Sequence, residues 1–199
     1  MRTVPRITCI AGVLLAGLLL CGPVIDALSS PRPVAEQDPW RQYAGEYTVI
    51  ENVLTDLYKS VSFGPGNECD WERLRLLCHP EVVFYQPPRR GSTAFTAYDL
   101  DAFIQFFKDD IERNDMGRTG FHERVGRHET TSFGRIAHSY VVFEIRLDPT
   151  AESPLQRGVD SVSLVLHEGR WWVSSIDTDY EFPGRQDIPD RILPGDTNR

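Results

Sequence analysis

The chain changes character once, near Gly117 and Gly120, and that single change limits the folds open to it. Before it, apolar residues keep helical spacing; after it, they fall into long β-type runs broken by turn residues. Ile50, Val53, Leu57 and Val61, with Leu54 and Tyr58 beside them, predict a first helix over about 45–62, ended by Gly64-Pro65-Gly66-Asn67. Asp70 is placed to cap a short second helix carrying Trp71, Leu74 and Leu77, which His79-Pro80 stops. Val82 to Tyr85 make a short strand closed by Pro87-Pro88. A third helix runs from about Tyr98 to Asn114, capped by Asp99 or Thr96, with Leu100, Phe103, Ile104, Phe107 and Ile111 on its apolar side. Four strands follow over about 121–131, 135–147, 158–168 and 170–181, the last two joined by a hairpin turn at His167-Glu168-Gly169. Helices first and hairpin-linked strands second imply α+β: a strongly bent, largely antiparallel sheet wrapped around three helices of the N-terminal half.

The first residues have the layout of a secretion signal. Arg2 and Arg6 supply a positive start, no residue from Ile7 to Ile25 is charged, and Ala27-Leu28-Ser29 offers small residues for a peptidase. The expectation is a cleaved signal over 1–29, a Pro-rich linker over 30–44, one domain over 45–184 and a polar tail over 185–199. The product would be exported, to the periplasm or beyond. Two alternatives stay open. An uncleaved anchor needs roughly 20 apolar residues, which this segment only just reaches. Leu18-Leu19-Leu20-Cys21 also loosely matches a lipoprotein site, although Leu20 is not small. Contact with a membrane is expected only through an uncleaved signal.

Losing Arg2, Arg6 and Asp26 with the signal takes the formal charge from −8 to −9. Such acidity argues against nucleic acid, which calls for a basic footprint. Cys9 and Cys21 leave with the signal, so only Cys69 and Cys78 remain. The helix expected between them would hold the pair about 13 Å apart, beyond the reach of a disulfide. Two free thiols are expected.

Several stretches carry a resemblance. They are Phe133-Gly134-Arg135-Ile136-Ala137-His138, Phe143-Glu144, Arg157-Gly158-Val159-Asp160-Ser161 and Gly169-Arg170-Trp171-Trp172-Val173-Ser174-Ser175-Ile176. With Ile188-Pro189-Asp190 and Leu193-Pro194 in the tail, they resemble bacterial exported members of the nuclear-transport-factor-2-like, or SnoaL-like, superfamily over roughly 45–195. The resemblance implies a conical fold with a cavity at its wide end. Members include ketosteroid isomerase, scytalone dehydratase, polyketide cyclases and non-catalytic binding domains, so fold alone does not give the activity. Export would exclude the nuclear-transport role in the family's name. Where this sub-group usually carries a second aromatic, the chain has Asp177-Thr178-Asp179, which implies a more polar or larger pocket near Thr178.

Enzymes of this fold use a buried carboxylate or histidine as a general base. Strand alternation puts Ala137, Ser139, Val141, Phe143 and Ile145 on the concave side, and Asp160 with Val162, Leu164 and Leu166 likewise. An aspartate in that company has a raised pKa, so Asp160 is the candidate base; the rival reading pairs it with Arg157 or uses it to cap a strand end. Phe143, Ile176 and Thr178 are expected to line the pocket, with Tyr85 offering a hydrogen bond and Trp172 sharing the inward face of Ile176. His138 and Glu144 fall on the outer face, where a homodimer through the sheet is expected. His79 is read as capping and packing. His122, Glu123, His128 and Glu129 lack the spacing of a zinc site, and Asp177, Asp179 and Glu181 read as solvated charge, so no metal and no cofactor is expected. The function expected is binding of a small hydrophobic or mixed-polarity ligand. An isomerase, dehydratase or cyclase using Asp160, and a dimeric structural domain, are the alternatives.

Overall fold

A computed structural model of the chain describes residues 45–88, 93–189 and 192. The expected signal and linker, and most of the expected tail, therefore lie outside the described residues. Helix α1 spans Ile50–Ser60 and buries Ile50, Val53, Leu54, Leu57 and Tyr58 along one stripe. Helix α2, Trp71–Leu77, is capped by Asp70, whose side chain accepts the Arg73 backbone N–H at 3.0 Å. Helix α3, Leu100–Arg113, is capped in the same way by Asp99, which accepts from Ala102 at 2.8 Å. A single turn, α4 (Met116–Thr119), precedes the strands.

Six strands form one sheet: β1 (Cys78–Gln86), β2 (Thr96–Tyr98), β3 (His122–Phe133), β4 (Ile136–Arg146), β5 (Gln156–His167) and β6 (Arg170–Tyr180), in the order β2-β1-β6-β5-β4-β3. The sheet is mixed, since β1 runs parallel to β6 while every other neighbouring pair is antiparallel. The β5–β6 hairpin turns at Glu168 and Gly169, both at positive φ (50° and 83°), as a two-residue turn matching strand twist requires.

The core lies between the helices and the inner sheet face. Phe84 of β1 stacks on Phe103 of α3 with ring centroids 4.0 Å apart, and Trp71 of α2 meets Phe107 edge-on at 5.9 Å. Cys69 and Cys78 are both free and buried; burial pushes each thiol up to about 12, so neither is a reactive thiolate at neutral pH.

One irregularity changes which side chains face inward. Ser163 pairs with Ser175 but Leu164 pairs with Val173, so Ser174 has no opposite residue and bulges. Alternation is reversed across that point. Trp171 and Val173 are buried before it, and Ile176 and Thr178 after it. Trp172 is consequently turned out of the core, its indole lying over the Arg170 guanidinium at 3.2 Å and edge-on to His79 at 6.3 Å. The expected inward placement of Trp172 beside Ile176 is corrected by this bulge.

Candidate functional site

Between α1, α3 and the inner sheet face lies a cavity of about 190 Å³. Its walls are largely aromatic, with Phe84, Phe103, Phe107, Phe121 and Phe143 prominent, and its polar groups come from different strands and one helix. The phase of each element decides which polar side chain enters. On β5, Asp160 is 7% exposed and lies directly across from Thr178 of β6. The Thr178 hydroxyl donates to Asp160 Oδ1 at 2.7 Å, and the Tyr58 hydroxyl, reaching over from α1, donates to Oδ2 at 2.6 Å. Gln86 at the end of β1 donates its amide to Thr178 Oγ1 at 3.3 Å.

Glu123 enters from β3 and Tyr180 from β6. The backbone at Glu123 is fixed by Ser62: its N–H donates to Ser62 Oγ at 2.9 Å, and that hydroxyl contacts the Glu123 carbonyl at 3.2 Å. The side chain is half-buried and lines the cavity. Tyr180 sets its ring edge-on to Phe143 at 6.0 Å. Phe143 in turn lies across from Gly158, over a Cα that carries no side chain.

Burial governs the charge state of the site. It pushes the Asp160 carboxyl up to about 6, although the bonds from Tyr58 and Thr178 favour the anion. It pushes Glu123 higher still, to about 8, with the negative charge of Asp160 adding to the effect. Burial, and then the Asp160 carboxylate, also raise the Tyr58 hydroxyl well above its ordinary value. At neutral pH Asp160 is thus mostly ionised and Glu123 mostly protonated. Two carboxyls whose environments split their pKa values form an acid and a base within one cavity. Among the described residues no group of three His, Cys, Asp or Glu side chains could hold a metal ion.

Asp160, Phe143, Ile176 and Thr178 all lie on the cavity wall. Asp160 does not pair with Arg157, which instead meets Glu181 at 3.2 Å. Tyr85 is a correction: it is 41% exposed on the outer side of β1, because Phe84 and Gln86 take the inner face. Four apolar or aromatic residues in a row, Val82 to Tyr85, left that phase undetermined in the sequence. His79 packs against His167 and Trp172, away from the cavity. His138 is on the outer sheet face, with Nε2 2.9 Å from Ser161 Oγ and its ring edge-on to Tyr140. The sequence reading missed Tyr58, Gln86, Glu123 and Tyr180. Glu123 had a usable signal, because Phe121 and Val125 at two residues on either side share its face.

No protein-family model and no curated protein matches the sequence. Solved structures do match in fold. An NTF2-like protein of unknown function from Pseudomonas putida KT2440 superposes with a TM-score of 0.52 at 11% identity, over 70% of this chain and 90% of that one. An NTF2-like protein with a cystatin-like fold from Novosphingobium aromaticivorans gives a TM-score of 0.51, also at 11% identity, over 77% of this chain and 93% of that one. At such identities the likeness is one of architecture, and it agrees with the α+β arrangement of helices against a bent, open six-stranded sheet. The chain has the nuclear-transport-factor-2-like fold.

Proposed function

We propose that the protein binds a small, largely apolar molecule in this cavity, with Asp160 and Glu123 at its polar end. The observation that carries the reading is the assembly of Asp160, Thr178, Tyr58 and Glu123 from β5, β6, α1 and β3 at one end of an aromatic chamber. A core that only had to pack would gain nothing from a buried carboxylate, whose desolvation costs stability. Polar groups converging on an apolar pocket, with perturbed pKa values, are the usual mark of a ligand site.

Ile145 lines the cavity from a half-buried position on β4, so a larger side chain there fills the void at modest cost to the core. The expected result is that one-ring compounds raise the melting temperature of the parent protein and leave Ile145→Trp unmoved. Equal shifts in both proteins would place binding elsewhere and reject the reading.

A second reading, an acid–base enzyme of the isomerase or dehydratase type, is favoured by the split between Asp160 at about 6 and Glu123 at about 8. In it Asp160 takes a proton from the substrate and Glu123 donates one. The Asp160→Asn variant considered in the Discussion distinguishes the two.

A further inference from the structure

We infer that the occupant of the cavity is an organic cation, an ammonium seated between Asp160 and Glu123 with an apolar body of about one ring against the aromatic walls. The inference rests on the cavity being a ligand site. Its charged lining residues are Asp110, Glu123 and Asp160, and no described lysine, arginine or histidine lines it. Asp110 is at the end of α3, where it pairs with Arg113 at 2.8 Å. Among the described residues neither Glu123 nor Asp160 has a cationic partner.

The hydrogen-bond inventory points the same way. The Tyr58 and Thr178 hydroxyls are spent on Asp160, the Gln86 amide on Thr178, and the Gln156 amide on the carbonyls of Arg157 and Glu181. What still faces the void is the free lone pairs of Asp160, the Tyr180 hydroxyl, and the Glu123 carboxyl, which receives no hydrogen bond from a described residue; once Glu123 is ionised, acceptors outnumber donors. With Glu123 ionised, a ligand that brings donors completes this site. An ammonium brings them with the complementary charge, and the faces of rings such as Phe84, Phe107 and Phe143 add cation–π attraction. Size agrees as well, since a cavity of roughly 150 Å³ accepts benzene and this one measures about 190 Å³.

The competing occupant is a neutral molecule accepting a hydrogen bond from protonated Glu123. The two depend on pH with opposite sign. The titratable groups facing the site are Tyr58 from α1, Asp110 from α3, Glu123 from β3, Asp160 from β5 and Tyr180 from β6, with Asp177 and Asp179 adding negative charge from β6. A cation favours the ionised acids, so its affinity rises as pH climbs through their pKa values; a neutral acceptor loses affinity over the same range.

Titration calorimetry of the full chain with 2-phenylethylammonium, 2-phenylethanol and phenylacetate, at about pH 8.5 and pH 5.5, reads this directly. The ammonium is expected to bind at least about tenfold tighter than the alcohol at the higher pH, with that ratio shrinking at the lower one. Phenylacetate is expected to bind least. Glu123→Gln, which keeps the side-chain shape, brings the ratio at the higher pH down to within about threefold of unity. An alcohol that matches the ammonium at the higher pH, or an ammonium that tightens as pH falls, overturns the cation while leaving the pocket reading standing. Uptake of none of the three overturns both.

Discussion

The stability of Asp160→Asn relative to the parent protein is expected to improve by about 3 kcal/mol between pH 3 and pH 8. The sign follows from the direction of the shift. In the folded protein the Asp160 carboxyl holds its proton up to about 6, whereas an unfolded aspartate releases it near 3.8. Folding therefore takes up a proton between those values. The contribution of Asp160 is most favourable below the lower value and is lost as pH rises through the upper one. Asparagine does not titrate, and it can still accept one hydrogen bond from Tyr58 or Thr178. Urea melts of both proteins across the range measure the gap. Parallel stability curves would mean that Asp160 is solvated and not a buried anchor.

The same variant separates binding from catalysis. A binding domain loses ligand affinity on the exchange and has no reaction to lose. In an acid–base enzyme the exchange costs about 10² to 10⁴ in kcat with far less effect on binding. The trade of stability for a charged site is common where function requires the charge.

Gly158→Ala is expected to cost about 3 kcal/mol, for a reason unrelated to backbone freedom. An alanine Cβ at this position would come within 2.6 Å of the Asp179 carbonyl oxygen and 2.8 Å of Phe143 Cε1. Neither neighbour yields easily. The carbonyl belongs to β6 in the same sheet, and the Phe143 ring is wedged between Tyr58 and Tyr180, with centroids 6.4 Å and 6.0 Å away. A displaced Phe143 moves a wall of the cavity, so ligand uptake falls along with stability. Adding Phe143→Leu to the variant recovers only part of the loss, because the contact with the carbonyl remains. A cost under about 1 kcal/mol in denaturant melts would show that the ring relaxes freely and is not a fixed wall.

The architecture was legible because it depends on periodicity. Helical spacing up to Ile111 and alternation after Phe121 are strong, local signals, and the Asp70 and Asp99 caps follow from residue type at the right offset. What escaped depended on pairing between distant segments. Strand β1 extends back to Cys78 because β6 pairs with it in parallel, and nothing near Cys78 announces that partner. Strand β2 covers only Thr96–Tyr98 and exists by pairing with β1. The site divides in the same way. Asp160 was found because apolar neighbours at even spacing fix its phase, whereas Trp172 was misplaced by a bulge invisible to strict alternation. Tyr58 was visible as part of the α1 stripe, but its contact with Asp160, 102 residues away, required the tertiary structure.

The proposed binding role requires that a small molecule occupy the cavity beside Asp160 in the working protein. Native mass spectrometry of the protein purified gently from its own source, beside Ile145→Trp made in the same cells, tests this most directly. The expected result is a single small-molecule adduct on the parent protein that is missing from the filled-cavity variant. The same adduct on both proteins, or none on the parent, would contradict it.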